Sequence, residues 1–352
     1  MNPVDWLLEP DNPSVRYLAL RHLLGRDEDD ADVQAARAAI SESAIVRRIF
    51  AKQAPEGHWG DPTSPYLPKY KSTYWTLMVL GFLGLSRDDE RVRRAVEHVF
   101  SFQRPDGGFS ELGEEGARRE YAYMEARARQ RGKQPPAETA FIADRIHQST
   151  LSCLTGNVVA ALLRLGSGDD PRLWRAVDWL AGIQNADGGW LCPYWKAHVR
   201  DKHGCFYGTI CPMEAFAEIP EDRRTPAVQE AAARGAEFLL MHRLYRADHH
   251  DFRPISEDWL RLSFPWFYGG CNILRSLWVL ARLGCRDERM DDALAVLWGK
   301  QAADGTWLLE NAPQGRMQAD LERKGLPSKW ITLMALWTLK ELERPPAVRA
   351  LL

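Results

Sequence analysis

Residues 195–207 hold the densest run of chemically useful side chains in the sequence. Lys196, Arg200 and Lys202 are cations, Asp201, His203 and Tyr207 are candidates for catalytic work, and Trp195 and Phe206 are aromatic. A helix is expected to open near Tyr207. Its unsatisfied N–H groups, with the basic run beside them, suit a diphosphate or a carboxylate, with Lys196 and Arg200 on the anionic end. A solvated loop would carry the same charges. Aromatic residues recur at comparable places, at Trp75, Trp266, Phe267, Tyr268 and Trp330. Their faces would shield a long apolar chain or a carbocation, and they would equally well fill a core. Asn157 heads an otherwise apolar helix, where it points inward or caps its own turn. His249-His250-Asp251 and Glu257-Asp258 add acid–base groups in another stretch.

These residues are positioned by a repeat. Gln184-Asn185-Ala186-Asp187-Gly188-Gly189-Trp190 recurs as Gln103 to Phe109 and as Gln301 to Trp307, more loosely as Gln53 to Trp59, and in worn form at His242-Arg243-Leu244-Tyr245. Self-similarity at a period of tens of residues marks a repeat architecture. Counting back from each glutamine, apolar residues fall eleven, seven and four positions earlier: Val92, Val96 and Val99; Leu173, Val177 and Leu180; Met290, Leu294 and Leu297. That is the stripe of an amphipathic helix. Asp89, Asp170 and Asp287 stand fourteen positions before, as N-caps. The Asp-Gly-Gly part then turns the chain.

A second kind of helix follows each turn, apolar nearly all round: 72–83, 154–165, 207–219, 270–283 and 328–342, with 14–24 of the same type. A helix apolar on every side must be enclosed. Six of them, alternating with five or so amphipathic ones, predict an all-α fold, an (α/α)6 toroid with an inner and an outer ring, as a single domain over 1–352. The outer-to-inner links are long and gather at one mouth, where function tends to sit. The longest, 110–148, carries a helix-prone charged piece over 114–131 and a break at Pro135-Pro136; it reads as a lid, a partner surface or a solvated excursion.

The chain has 352 residues, 45% hydrophobic and 27% charged, with net charge −2. A balance near zero argues against nucleic acid as a partner. No apolar run is long enough to span a bilayer, and the first ten residues carry no signal region, so an integral membrane protein is not expected. Six cysteines in so long a chain read as reduced thiols in the cytoplasm. No P-loop, Gly-x-Ser-x-Gly or His-Glu-x-x-His occurs.

Gln-x-x-x-Gly-x-Trp repeats joining paired helices resemble those of the terpenoid cyclase and protein prenyltransferase toroids, over Gln53 to Trp307. In that superfamily the repeat is structural, so the resemblance gives Gln184 and Trp190 framework roles. Squalene-type cyclases protonate an alkene with Asp-x-Asp-Asp at an inner-helix start. The one match, Asp27-Glu28-Asp29-Asp30, follows the first helix on the face away from the mouth. Prenyltransferases place Asp-Gly-Cys-Tyr at an inner-helix start, where this chain has His203-Gly204-Cys205-Phe206, and the next inner helix opens through Tyr268 to Cys271. The resemblance thus implies a Zn2+ site of His203, Cys205 and Cys271, ligand types that zinc accepts. Histidine for aspartate and phenylalanine for tyrosine depart from the pattern.

The expected activity is prenyl transfer or terpenoid cyclisation on an elongated apolar substrate in the central cavity. The resemblance leaves room for a helical partner subunit or a homodimer. Two alternatives stay open: a carbohydrate-active toroid like the pectate lyases, which needs an open groove with carboxylates, and a non-catalytic binding or scaffold protein, whose cavity its own side chains would fill.

Overall fold

The computed structural model describes residues 2–194, 196, 202–248, 250–267 and 272–343. In chain order its helices are α1 (Pro3–Leu7), α2 (Pro13–Leu18, continued by a π-helical turn over Ala19–Leu23), α3 (Ala31–Ser41), α4 (Ala44–Phe50), α5 (Thr73–Phe82), α6 (Glu90–Phe100), α7 (Glu114–Gln130) and α8 (Glu138–Gln148). There follow α9 (Ser152–Arg164), α10 (Pro171–Gly182), α11 (Phe206–Glu218), α12 (Pro226–Met241), α13 (Ile273–Arg282), α14 (Asp291–Gly299) and α15 (Lys329–Glu343). Strands β1 (Arg246–Ala247) and β2 (Arg253–Pro254) pair antiparallel in the link after α12.

The fold is all-α, an α/α toroid. Helices α2, α5, α9, α11, α13 and α15 form the inner ring. Those from α5 onward pack on their successors, and α15 returns to α2. The seam between α2 and α5 is tied by Ser14 Oγ, which donates to Leu83 O at 2.8 Å. Enclosure explains their composition: every residue of α5 is buried, because the ring covers one side and an outer helix the other. Helices α6, α10, α12 and α14 each back the inner helix that precedes them, and α3 backs α2. Where α9 meets α11 the approach is close enough that a Cβ on Gly156 would lie 2.4 Å from backbone atoms of Cys211 and Pro212.

The repeated phrase works as a clip between consecutive outer helices. Gln184 Nε2 donates to Gly188 O within its own turn and to Ala231 O on α12. Gln53 does the same to Gly57 O and Arg91 O, and Gln103 to Gly107 O and Arg172 O. The aromatic residue is buried under the turn: the indoles of Trp59, Trp190 and Trp307 donate to Ile49 O, Leu180 O and Leu297 O. Their backbone N–H groups, with that of Phe109, go to Thr73, Thr209, Thr332 and Thr155 on the inner helices. The worn copy keeps the geometry with other residues. His242 Nδ1 lies 3.2 Å from Arg246 O, four residues on, and Arg243 and Leu244 take the positive φ that glycine takes elsewhere.

Two sequence expectations hold in detail. Asp89, Asp170 and Asp287 cap their helices, each accepting from the backbone N–H two residues on. Asp30 caps α3, so the Asp27–Asp30 run serves a helix start on the face opposite the mouth. Gly188 shows why the turn needs its glycine: its φ is +86°, and a Cβ would lie 2.4 Å from Arg234 O. Gly188→Ala is therefore expected to destabilise by about 2 kcal/mol or more, from the left-handed backbone and the clash together. A denaturation midpoint equal to wild type would show that the turn is not the tight clip described.

Link 110–148 contains a helical hairpin, α7 against α8, with Leu112, Ala117 and Ile142 buried together. It is stitched to the first mouth link by Gly113 N–H to Thr63 O and Ser64 Oγ to Glu111 O. No helix among the described residues is long and apolar enough to cross a membrane.

Candidate functional site

The lumen of the ring is built from aromatic side chains delivered by opposite walls. Counting round the ring, α5 and α13 face each other, yet Phe82 of α5 lies 5.8 Å, ring to ring, from Trp266, which lies 5.3 Å from Trp278 of α13. Phe264 joins them, 5.0 Å from Phe82 and stacked at 4.6 Å on Trp330 of α15. The link before α13 therefore dips into the ring rather than crossing above it. Nearer the mouth, Trp75 packs against Tyr66, Tyr70 and Phe267 at 5.2–5.3 Å, and its indole donates to Tyr66 O. Link 308–327 closes over this group, with the Arg316 guanidinium 4.7 Å from the Tyr70 ring. Two gaps remain beneath it, neither with room for a water molecule, one of them lined by Phe264, Met317, Leu321 and Glu322.

A buried ion network runs along one side of this lumen. Arg275, fully buried, donates to Glu214, to Asn157 Oδ1 at 2.7 Å and to Phe267 O at 3.1 Å. Glu214 also pairs with Arg164, which reaches Glu218 Oε1, and Glu218 Oε2 accepts from Arg282 at 3.1 Å. The Arg164 guanidinium carbon lies over the Phe82 ring, 3.9 Å from its centroid, which joins the network to the aromatic cluster. Three guanidinium groups thus meet two carboxylates among the described residues. Burial pushes the Glu218 carboxyl upward, but the charges of Arg164 and Arg282 outweigh it and hold the group below the usual range.

Sequence reasoning missed this network, apart from Asn157. A usable signal was present. Glu214 and Arg275 are charged residues inside helices otherwise apolar all round, and such residues are almost never fully buried unless paired.

The expected site residues scatter. Trp75, Trp330 and Asn157 do line the interior. Phe206 instead packs outward, on Phe238 and His242 and against Trp259. Tyr207 is exposed beside Trp259. Lys196 is a surface residue, its Nζ 3.3 Å from Asp144 of α8. Trp195, Arg200, Asp201, Tyr268 and Cys271 lie outside the described residues.

The His203 side chain is 70% exposed, with Nδ1 3.9 Å from Asp187 Oδ2. Its neighbour Cys205 turns inward, and its N–H bonds Trp190 O in an edge that closes the third repeat. The Gly204 N–H donates to Asp187 in the same edge. Among the described residues no group of three or more His, Cys, Asp or Glu is placed to hold a metal. His203 and Cys205, two of the three residues of the zinc set, thus have a framework explanation: this segment pairs with the repeat's own turn.

A second cluster lies at the head of α9. The Cys192 sulfur sits 4.0 Å from Cys153 Sγ and 3.7 Å from Ser152 Oγ. The hydrogen bond from Cys153 pulls the Cys192 thiol down to about 7 against the effect of burial, helped by the Ser152 hydroxyl and the amides of Ser152 and Cys153. Cys153 is pushed well up by the same hydrogen bond and by burial. Burial likewise raises Cys205 and the nearby Glu111 and Tyr66.

The chain is similar to several solved structures. A protein from Actinoplanes is 17% identical with a TM-score of 0.45, over 95% of this chain and 90% of that one. A type II terpene cyclase from Scytonema is 17% identical with a TM-score of 0.43, over 96% of this chain and 98% of that one. A glycosidase is 16% identical with a TM-score of 0.31, over 89% and 98%. No family model and no curated protein matches the chain.

Proposed function

We propose that this toroid takes an elongated apolar compound, polyprenyl or terpenoid, into its aromatic lumen and carries out prenyl transfer or terpenoid cyclisation there. The observation that carries the reading is the combination of aromatic faces with a buried cationic network. Trp75, Trp266, Trp278 and Trp330 suit a hydrocarbon chain or a carbocation. Among the described residues, the three guanidinium groups of Arg164, Arg275 and Arg282 beside the two carboxylates of Glu214 and Glu218 suit an anionic head group. Donors in the same region await acceptors: Asn157 Nδ2, Ser276 Oγ and the indole N–H groups of Trp266, Trp278 and Trp330 are buried without a hydrogen-bond partner among the described residues. Each such group costs about 1–3 kcal/mol when left unmet, which an acceptor-bearing ligand or water would offset. A carbohydrate-active groove with exposed carboxylates fits less well, because Glu214 and Glu218 are tied to arginines and Glu322 to Ser328 and the backbone at the head of α15.

One observation favours a second reading, that of a non-catalytic scaffold. The rings touch one another across the lumen, and the two gaps beneath the mouth do not admit even a water molecule, whereas an ordinary ligand pocket holds several hundred Å³. Under the first reading, links 61–72 and 308–327 withdraw to admit substrate. Titration with geranylgeranyl diphosphate and with geranylgeraniol, followed by tryptophan fluorescence and by mass spectrometry of products, separates the two. The enzyme reading expects saturable quenching, about tenfold tighter for the diphosphate, and a new product. No saturable change with either compound would leave the scaffold.

A further inference from the structure

We propose that Cys153 and Cys192 form a dithiol that a hydroperoxide oxidises to a disulfide, pinning the 191–194 link to the head of α9. The geometry carries this. The two sulfurs are 4.0 Å apart, and a disulfide bond is about 2.05 Å long, so closing it asks the sulfurs to approach by about 2 Å. The partners come from different elements 39 residues apart, so the bond would be a genuine cross-link. Cys153 is only partly buried while Cys192 is buried, so a small oxidant such as hydrogen peroxide is the kind that can reach the pair. Their placement at the mouth face puts the pair beside the lumen entrance, where the Tyr66 ring is close enough to feel both sulfurs.

The chemistry balances with hydroperoxide as the oxidant. The Cys192 thiolate attacks the peroxide O–O bond, forming a sulfenic acid and releasing water, or an alcohol from an alkyl hydroperoxide, once the leaving oxygen takes a proton. The Cys153 sulfur then attacks the Cys192 sulfur. The S–S bond forms as the S–OH bond breaks, and the thiol proton leaves with the hydroxide as a second water. Cys192 takes the first step because its thiolate is the favoured one of the pair, resting against the hydroxyl and amides of Ser152 and the start of α9. Among the described residues it is faced by Cys153 and Ser152 on α9, by Cys205 just before α11 and by Tyr66, while Cys211 is a neighbour of Cys153 and Cys205. Cys285 lies on the opposite face, in the link after α13, and burial pushes its thiol up to about 11, so it is not expected to compete.

The test uses the intact wild-type chain. It is treated with hydrogen peroxide, alkylated, and analysed by mass spectrometry before and after digestion. The expected result is a species carrying two alkyl groups fewer than the untreated, alkylated chain, the two being regained when dithiothreitol precedes alkylation, and a linked peptide pair joining Cys153 to Cys192. In Cys153→Ser the sulfenic acid should persist and be trapped by dimedone on Cys192. A linkage of Cys192 to Cys205, dimedone on Cys153 of the wild type, or over-oxidation without any linkage would each overturn the proposal.

Discussion

Truncating Trp190 to alanine is expected to lower stability by about 3–5 kcal/mol, near the upper end for a single substitution. The indole is fully buried and packs at 5.9 Å, edge to face, on Phe216 of α11. Its Nε1–H donates to Leu180 O, one of the carbonyls that α10 leaves without an intrahelical partner. Removing the side chain opens a cavity and strands that acceptor in the same step. The neighbouring turn contributes further, because Trp190 N–H goes to Thr209 and Trp190 O accepts from Cys205, so the residue joins three segments. Denaturation followed by circular dichroism measures the loss. Trp298 is the control: it is 49% exposed, and Trp298→Ala should cost less than about 1 kcal/mol. Equal losses for the two would refute a framework role specific to the repeat.

The framework was legible because its determinants are local. The Gln184 side chain bonds a carbonyl four residues on, and Asp170 caps an N–H two residues on, so both leave a fixed spacing in the sequence. The threonines that hold the aromatic residues were less visible. Thr73, Thr155, Thr209 and Thr332 do the same job, but they stand at 14, 46, 19 and 25 residues from their partners, because the links between them vary in length. The lumen network was hidden for the same reason in stronger form. Arg275 meets Glu214 across 61 residues and Asn157 across 118, and no linear spacing encodes that pairing. Conversely, His203 and Cys205 looked like ligands because their types and order matched a known pattern. Their real constraint is the close approach of Gly204 to Gly189, through which this segment pairs with the repeat's own turn. Links 61–72 and 255–267 enter the ring through aromatic contacts that composition alone reads as loop.

The Arg275–Glu214 pair should show the cost of breaking a buried ion network. Arg275→Met keeps the stem but removes the guanidinium, leaving Asn157 Oδ1 and Phe267 O without their donor and Glu214 with Arg164 alone. The expected loss is about 3–5 kcal/mol, since the remaining charge stays buried with half its compensation. Glu214→Gln should also destabilise, by stranding Arg164 and Arg275. The double substitution Arg275→Met/Glu214→Gln should cost less than the sum of the two, with a coupling of about 1–3 kcal/mol, because each single change leaves a partner that the double removes. Acid should act on the same network. The Glu218 carboxyl is held below its unfolded value by Arg164 and Arg282, so its contribution is complete above the unfolded carboxyl's range and fades as pH falls through the folded one. In Arg282→Met that acid-induced loss should shrink, since one of the two charges holding Glu218 ionised is gone. Denaturant midpoints of wild type and Arg282→Met between neutral and acid pH would show it. Additive costs in the double variant, together with parallel pH curves, would mean that the three arginines and two glutamates do not act as one unit and that the lumen's charge is set elsewhere.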